Sequence, residues 1–71
     1  MFSYAPLMAT LHKKGMTKTE LQRLIGASSA TFAKISKDEY VSMKILDDIC
    51  TVLDCEISDV ITHVKEKDHS K

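Results

Sequence analysis

The sequence has no long apolar run, no surplus of charge, only two cysteines and almost no helix breakers. No stretch approaches the roughly 20 apolar residues that span a bilayer. A membrane protein is therefore not expected. The opening Met1–Pro6 lacks the basic start and apolar core of a signal peptide, so a cytoplasmic location is expected by default. Cys50 and Cys55 are too few for a disulfide framework and suit free thiols in a reducing compartment. The formal net charge is zero and 44% of residues are hydrophobic, which excludes a disordered chain. The 71 residues allow one domain, with an ordered core over about 4–64 and a charged, fraying tail over 65–71. A domain of this size buries roughly 60% of its unfolded surface. Its stability margin is thin, and docking to a second copy would widen it.

The same scarcity removes most site chemistry. Cys50, Cys55 and His63 lack a paired C-x-x-C and an evident fourth ligand, so no metal is expected. His12, His63 and His69 have no serine or cysteine arranged for nucleophilic catalysis. Asp47 and Asp48 are neighbours on a helix and diverge by about 100°. No enzyme, no cofactor and no small-molecule effector site is expected.

What is present is helix punctuation. Pro6 can occupy the first turn of a helix from about Ala5 to Lys14, with Leu7, Met8 and Leu11 on one face and Gly15 as its stop. Thr17-Lys18-Thr19-Glu20 has the form of a capping box, flanked by Met16 and Leu21 at staple positions. The second helix starts there and ends at Gly26. Ser28 caps a third helix, from about Ser29 to Ser36 or Lys37, with Phe32 and Ile35 as its core pair. Ser42 caps a fourth, about Met43 to Leu53, where Ile45, Leu46, Ile49, Cys50 and Leu53 form an apolar stripe. Ile57, Val60, Ile61 and Val64 fit a short fifth helix, opened by Ser58 or Glu56. Met1, Phe2, Tyr4, Tyr40 and Val41 have no firm place in this core. They either pack locally or belong to a dimer surface.

Charge is distributed unevenly. Residues 1–44 carry a net +4 and residues 45–71 a net −4. A nucleic-acid footprint depends on a local basic face more than on total charge. Two short helices joined by a tight glycine-containing turn make a helix-turn-helix. Gly26 permits φ > 0, and Leu21, Ile25, Ala27, Phe32 and Ile35 would bury the inside of the corner. The outside is left small, hydroxylated or basic.

The run Met16–Leu21, then Ile25-Gly26-Ala27-Ser28, then Thr31-Phe32-Ala33-Lys34-Ile35 resembles the lambda-repressor-like, XRE-type helix-turn-helix family. The continuation through Lys37, Val41-Ser42 and Ile49–Cys55 is similar to its compact Cro-like branch. The likeness spans about Tyr4 to Val64. It implies an all-α, compact five-helix domain with the helix-turn-helix at helices 2 and 3.

The resemblance also implies roles. Lys18 opens helix 2, where a phosphate is commonly held. Ser28, Ser29, Ala30 and Thr31 open helix 3 toward the groove, and Lys34 stands one turn on at a base-reading position. Ser36 and Lys37, just past it, meet the opposite backbone. Most members have a small residue where Gln22 stands, so Gln22 must point outward or be hydrogen-bonded.

In chemical terms, Lys34 can donate to guanine O6 and N7, Ala30 can meet a thymine methyl, and Ser29 and Thr31 bond less selectively. Lys18, Ser28, Ser36 and Lys37 would hold phosphates. So few cations predict weak binding to one half-site. A homodimer reading two half-sites about 34 Å apart would offset that. The expectation is a sequence-specific transcriptional regulator, a repressor on double-stranded operator DNA. Zero net charge favours a different class, a protein-interaction module such as an antitoxin-like or accessory subunit, using its acidic C-terminal half.

Overall fold

Every α-helix among the described residues is short, between 8 and 11 residues, and each is closed at its far end by a residue in the left-handed region. The computed structural model describes residues 1–65. The order is β1 (Phe2–Ser3), α1 (Ala5–Lys14), α2 (Lys18–Ile25), α3 (Ser29–Ser36), α4 (Met43–Leu53), a 3-10 turn (Ile57–Asp59) and β2 (Thr62–His63). The four helix spans expected from the punctuation are all present. Beyond Lys65, the charged tail lies outside the described residues, as does His69.

The helix starts follow from side-chain oxygens. Thr17 Oγ1 accepts the Glu20 N–H at 3.1 Å, and Glu20 Oε1 accepts the Thr17 N–H at 2.9 Å, completing the capping box. Ser28 accepts the Thr31 N–H at 3.1 Å and Ser42 the Ile45 N–H at 3.3 Å. The helix ends repeat one device. Gly15, Gly26, Asp38 and Asp54 have φ of +65°, +68°, +57° and +52°. Just past each, an N–H reaches back to a carbonyl five residues earlier. These pairs are Met16 to Leu11, Ala27 to Gln22, Glu39 to Lys34 and Cys55 to Cys50, at 2.8–3.1 Å. This is the Schellman closure, which satisfies carbonyls that the helix itself leaves free.

The expected fifth helix is a correction. It survives as one 3-10 turn, after which the chain extends into β2. Three contacts divert it. Thr10 Oγ1 donates to the Asp59 carbonyl at 2.7 Å, engaging the acceptor that a continuing helix would use. Asp59 Oδ2 takes the Glu56 N–H at 3.1 Å. The Val64 N–H donates to the Met1 carbonyl at 2.8 Å, and the strands pair antiparallel as Phe2 with His63 and Ser3 with Thr62. The fold is thus four α-helices with a small terminal ribbon, still helical in class.

The core is drawn from every helix: Leu7, Leu11, Leu21, Phe32, Ile35, Leu46, Ile49 and Leu53, joined by Tyr4 and Val60. Tyr4, unplaced by sequence, is 2% exposed. Its N–H donates to Asp38 Oδ1 at 3.0 Å and its hydroxyl to the Glu39 carbonyl at 2.8 Å. The N-terminal segment is thereby tied to the turn that follows α3. Val41 is half-buried against the same core, whereas Phe2 and Tyr40 remain exposed with their rings edge to face, centroids 6.3 Å apart.

The two left-handed aspartates differ in what holds them. The Asp54 carboxylate has no partner among the described residues, so Asp54→Gly is expected to be neutral or stabilising by up to about 1 kcal/mol. Asp38→Gly removes the acceptor of the Tyr4 N–H and is expected to cost about 1–3 kcal/mol. Urea melts that ranked the two the other way would contradict this account. Burial, opposed by backbone hydrogen bonding and aided by Asp38, pushes the Tyr4 phenol up. The folded state therefore favours its protonated form. That stability is complete below the ordinary tyrosine pKa of about 10 and is lost as pH rises toward the folded value. Tyr4→Phe should lose about 0.5–1.5 kcal/mol at neutral pH. It should also show a shallower alkaline decline than the parent in melts taken across that range.

Candidate nucleic-acid interface

The α2–α3 corner is built by three residues. Gly26 turns the chain at φ +68°, Ala27 packs half-buried against the core, and Ser28 is extended at ψ 160° as the cap of α3. Leu21, Phe32 and Ile35 are buried inside the corner, with Ile25 and Ala27 packed at its edge. All five expected corner residues are therefore on the inner side. Gln22 is half-buried, and its backbone carbonyl takes the N–H of Gly26 and of Ala27. Among the described residues no buried side-chain nitrogen or oxygen lacks a partner, so the corner closes around Gln22 without a polar cost.

Burying Phe32 and Ile35 sets the outer face of α3 by helical spacing. Ser29, Ala30, Lys34 and Lys37 are exposed. At 100° per residue they span one side of the cylinder, opposite the core pair. Ala33 is exposed in the middle of that face, one turn beyond Ser29 and one before Lys37. Sequence reasoning did not include it, although its i+4 spacing from Ser29 places it there.

Thr31 and Ser36 lie on the two margins. Thr31 is half-buried, with its Oγ1 3.1 Å from Ser28 Oγ. The Ser28 hydroxyl is thus already engaged with both the Thr31 N–H and the Thr31 hydroxyl. Ser36 is exposed, and its Oγ accepts from Lys18 Nζ at 3.0 Å. Two residues expected at phosphates, one opening α2 and one ending α3, are thereby brought together.

Electrostatics single out Lys18. It stands in the first turn of α2, the positive end of the macrodipole, where a cation costs about 0.3–1 kcal/mol. Among the described residues no carboxylate recovers that cost by pairing with it. Among the described residues the one ion pair is Lys44 with Asp48 at 3.0 Å, on α4. Lys18, Lys34 and Lys37 therefore have no described carboxylate within ion-pair distance. After its bond to Ser36, Lys18 retains two of its three ammonium donors.

Two surface hollows have Tyr4 in their walls, and the first of them reaches α2 and α3. One, of about 300 Å³, includes Ser3, Met8, Lys18, Ser36 and Asp38 in its lining. The other, of about 310 Å³, is apolar and has Phe2, Tyr40, Val41, Met43, Leu46 and Ile57 among its walls. No described helix is long and apolar enough to cross a membrane.

The model of the Cro/C1-type HTH DNA-binding domain matches residues 7–66, which takes in α1 from Leu7 onward and the whole of α2, α3 and α4. The crystal structure of transcriptional regulator VanUg, form II, is similar over 92% of this chain and 87% of that one, with 40% sequence identity and a TM-score of 0.89. No curated protein matches the chain.

Gly26 tests the corner directly. A Cβ there would meet nothing within 4 Å, so Gly26→Ala adds strain without a clash. We expect a loss of about 1–2 kcal/mol from the left-handed φ alone. A melt unchanged by this substitution would mean that the turn can relax to another conformation.

Proposed function

The chain belongs to the Cro/C1-type helix-turn-helix DNA-binding family, and from that we propose that it is a cytoplasmic transcriptional repressor that binds operator DNA as a homodimer. The observation that carries this is the outer face of α3. Small side chains allow close approach there, and two exposed lysines have no acidic partner among the described residues. In this reading α3 enters the major groove. Lys34 donates to guanine O6 and N7, and Ala30 meets a thymine methyl. Ser29 bonds to a base edge, Ala33 lets the helix sit close, and Thr31 contributes from the margin. Lys18 and Ser36 hold one phosphate together, while Lys37 and the capped start of α3 at Ser28 hold others.

The second copy is assigned to the apolar hollow. An isologous contact needs projection and recess in one patch. Tyr40 and Met43 project at its rim, 72% and 77% exposed. Two large side chains so exposed beside an apolar hollow form the kind of patch that marks an interaction surface. A stable interface takes about 800 Å² per partner. The patch is then an apolar centre that polar neighbours complete. The same patch is what favours the second reading, a protein-interaction module, and zero net charge agrees with it.

DNA binding separates these readings. Affinity for duplex should fall steeply with salt, and Lys18→Ala or Lys37→Ala should each lower the log–log slope by roughly 0.9 per copy. Lys34→Ala should cost about 1–3 kcal/mol and relax selectivity at one base pair. Selectivity unchanged in Lys34→Ala would remove the base-reading assignment, and no binding at low salt would remove the DNA reading itself. Tyr40→Glu should give monomers in sedimentation while leaving half-site affinity intact. Dimers that persist in that variant would place the interface elsewhere.

A further inference from the structure

Cys50 and Cys55 have no part in the face of α3, yet the fold brings them together. Cys50 lies in the last turn of α4 and Cys55 follows its end. Asp54 turns the chain between them at φ +52°, and the Cys55 N–H donates to the Cys50 carbonyl at 3.1 Å. In a Schellman closure the two residues joined by this outer bond frequently also meet through their side chains, as an apolar contact. Here the pair is two thiols. Standard bond lengths on either side of the 3.1 Å contact keep the two Cα atoms within about 7 Å. That is within the reach of a disulfide. Both cysteines are free, and both are half-buried against the core. The surroundings bear on their reactivity. Burial chiefly, then Cys50 and Asp59, pushes the Cys55 thiol up, and Lys14 at the end of α1 pulls against them.

We propose that Cys50 and Cys55 form a dithiol site that closes to an intramolecular disulfide by exchange with a low-molecular-weight disulfide. One protein thiolate attacks a sulfur of the reagent. A mixed disulfide forms, the reagent's S–S bond breaks, and one small thiolate leaves. The second protein thiolate then attacks the protein sulfur of the mixed disulfide and displaces the other small thiolate. Overall the two protein S–H groups give up two protons and two electrons, and the reagent is reduced to two thiols. The ring staples the end of α4 to the segment that leads into the 3-10 turn. Effective concentration is high because the backbone already holds the pair, and a preorganised pair closes in preference to reacting separately. The site is independent of any reading of α3.

The test exposes the full chain to oxidised glutathione and follows mass, free thiols and covalent cross-linking on a denaturing non-reducing gel. The expected product is lighter by two hydrogens, has no free thiol, carries no glutathione and has no link between copies. Cys50→Ser and Cys55→Ser should each stop at a single mixed disulfide. The rate should be low at neutral pH and climb as pH rises, because burial, Cys50 and Asp59 together outweigh Lys14 in keeping Cys55 protonated. Should a serine variant fail to fold, equilibration of the parent chain in a glutathione redox buffer gives the effective concentration alone. A value at or above millimolar supports the site. A stable product bearing two glutathiones, a covalent dimer, or an effective concentration well below millimolar would overturn it.

Discussion

Short helices cannot stand on their own hydrogen bonds. A helix under about 12–15 residues is marginal in water, and the longest here has 11. Each also leaves carbonyls free at its end. The left-handed residue that closes every helix answers both difficulties at once. It satisfies carbonyls, and it turns the chain sharply enough for the next helix to fold back onto the core. Without that reversal at Gly15, Gly26, Asp38 and Asp54, the apolar stripes would not converge.

The outer surface of α3 depends on this same constraint through a chain of contacts. Asp38 closes the end of α3, and its carboxylate then takes the Tyr4 N–H. Tyr4, packed in the core, returns a hydroxyl bond to Glu39. Position and orientation of α3 are therefore set at both ends, by Gly26 and Ser28 at the start and by the N-terminal segment at the finish. Lys18 adds a third tie from α2 to Ser36.

What was legible in the sequence were features with one physical cause. A serine or threonine before an apolar repeat has one good use, and the starts of α2, α3 and α4 were readable for that reason. Glycine past a helix is nearly as explicit. Asp38 and Asp54 do the same work but were not readable as such, since aspartate is at home in any turn. The spacing of Ile57, Val60, Ile61 and Val64 is compatible with a helix. What decides against one is distant in sequence, in Thr10 and Met1. Tyr4 was missed for the same reason, since its partners lie 34 and 35 residues away. On the candidate surface, the exposed lysines were visible as charges. Ala33, which contributes only an absence of bulk, was not.

That absence of bulk has a thermodynamic side. Immobilising a lysine or arginine costs up to about 1.5–2 kcal/mol in rotamer freedom, while alanine gives up none. The exposed face of α3 holds Ser29, Ala30 and Ala33 alongside two lysines. Most of it is already as ordered as it will be in any complex. A rigid partner that fits its contour meets little entropic resistance outside those two ammonium arms. Steric exclusion at the two alanines then rejects a partner whose contour does not fit.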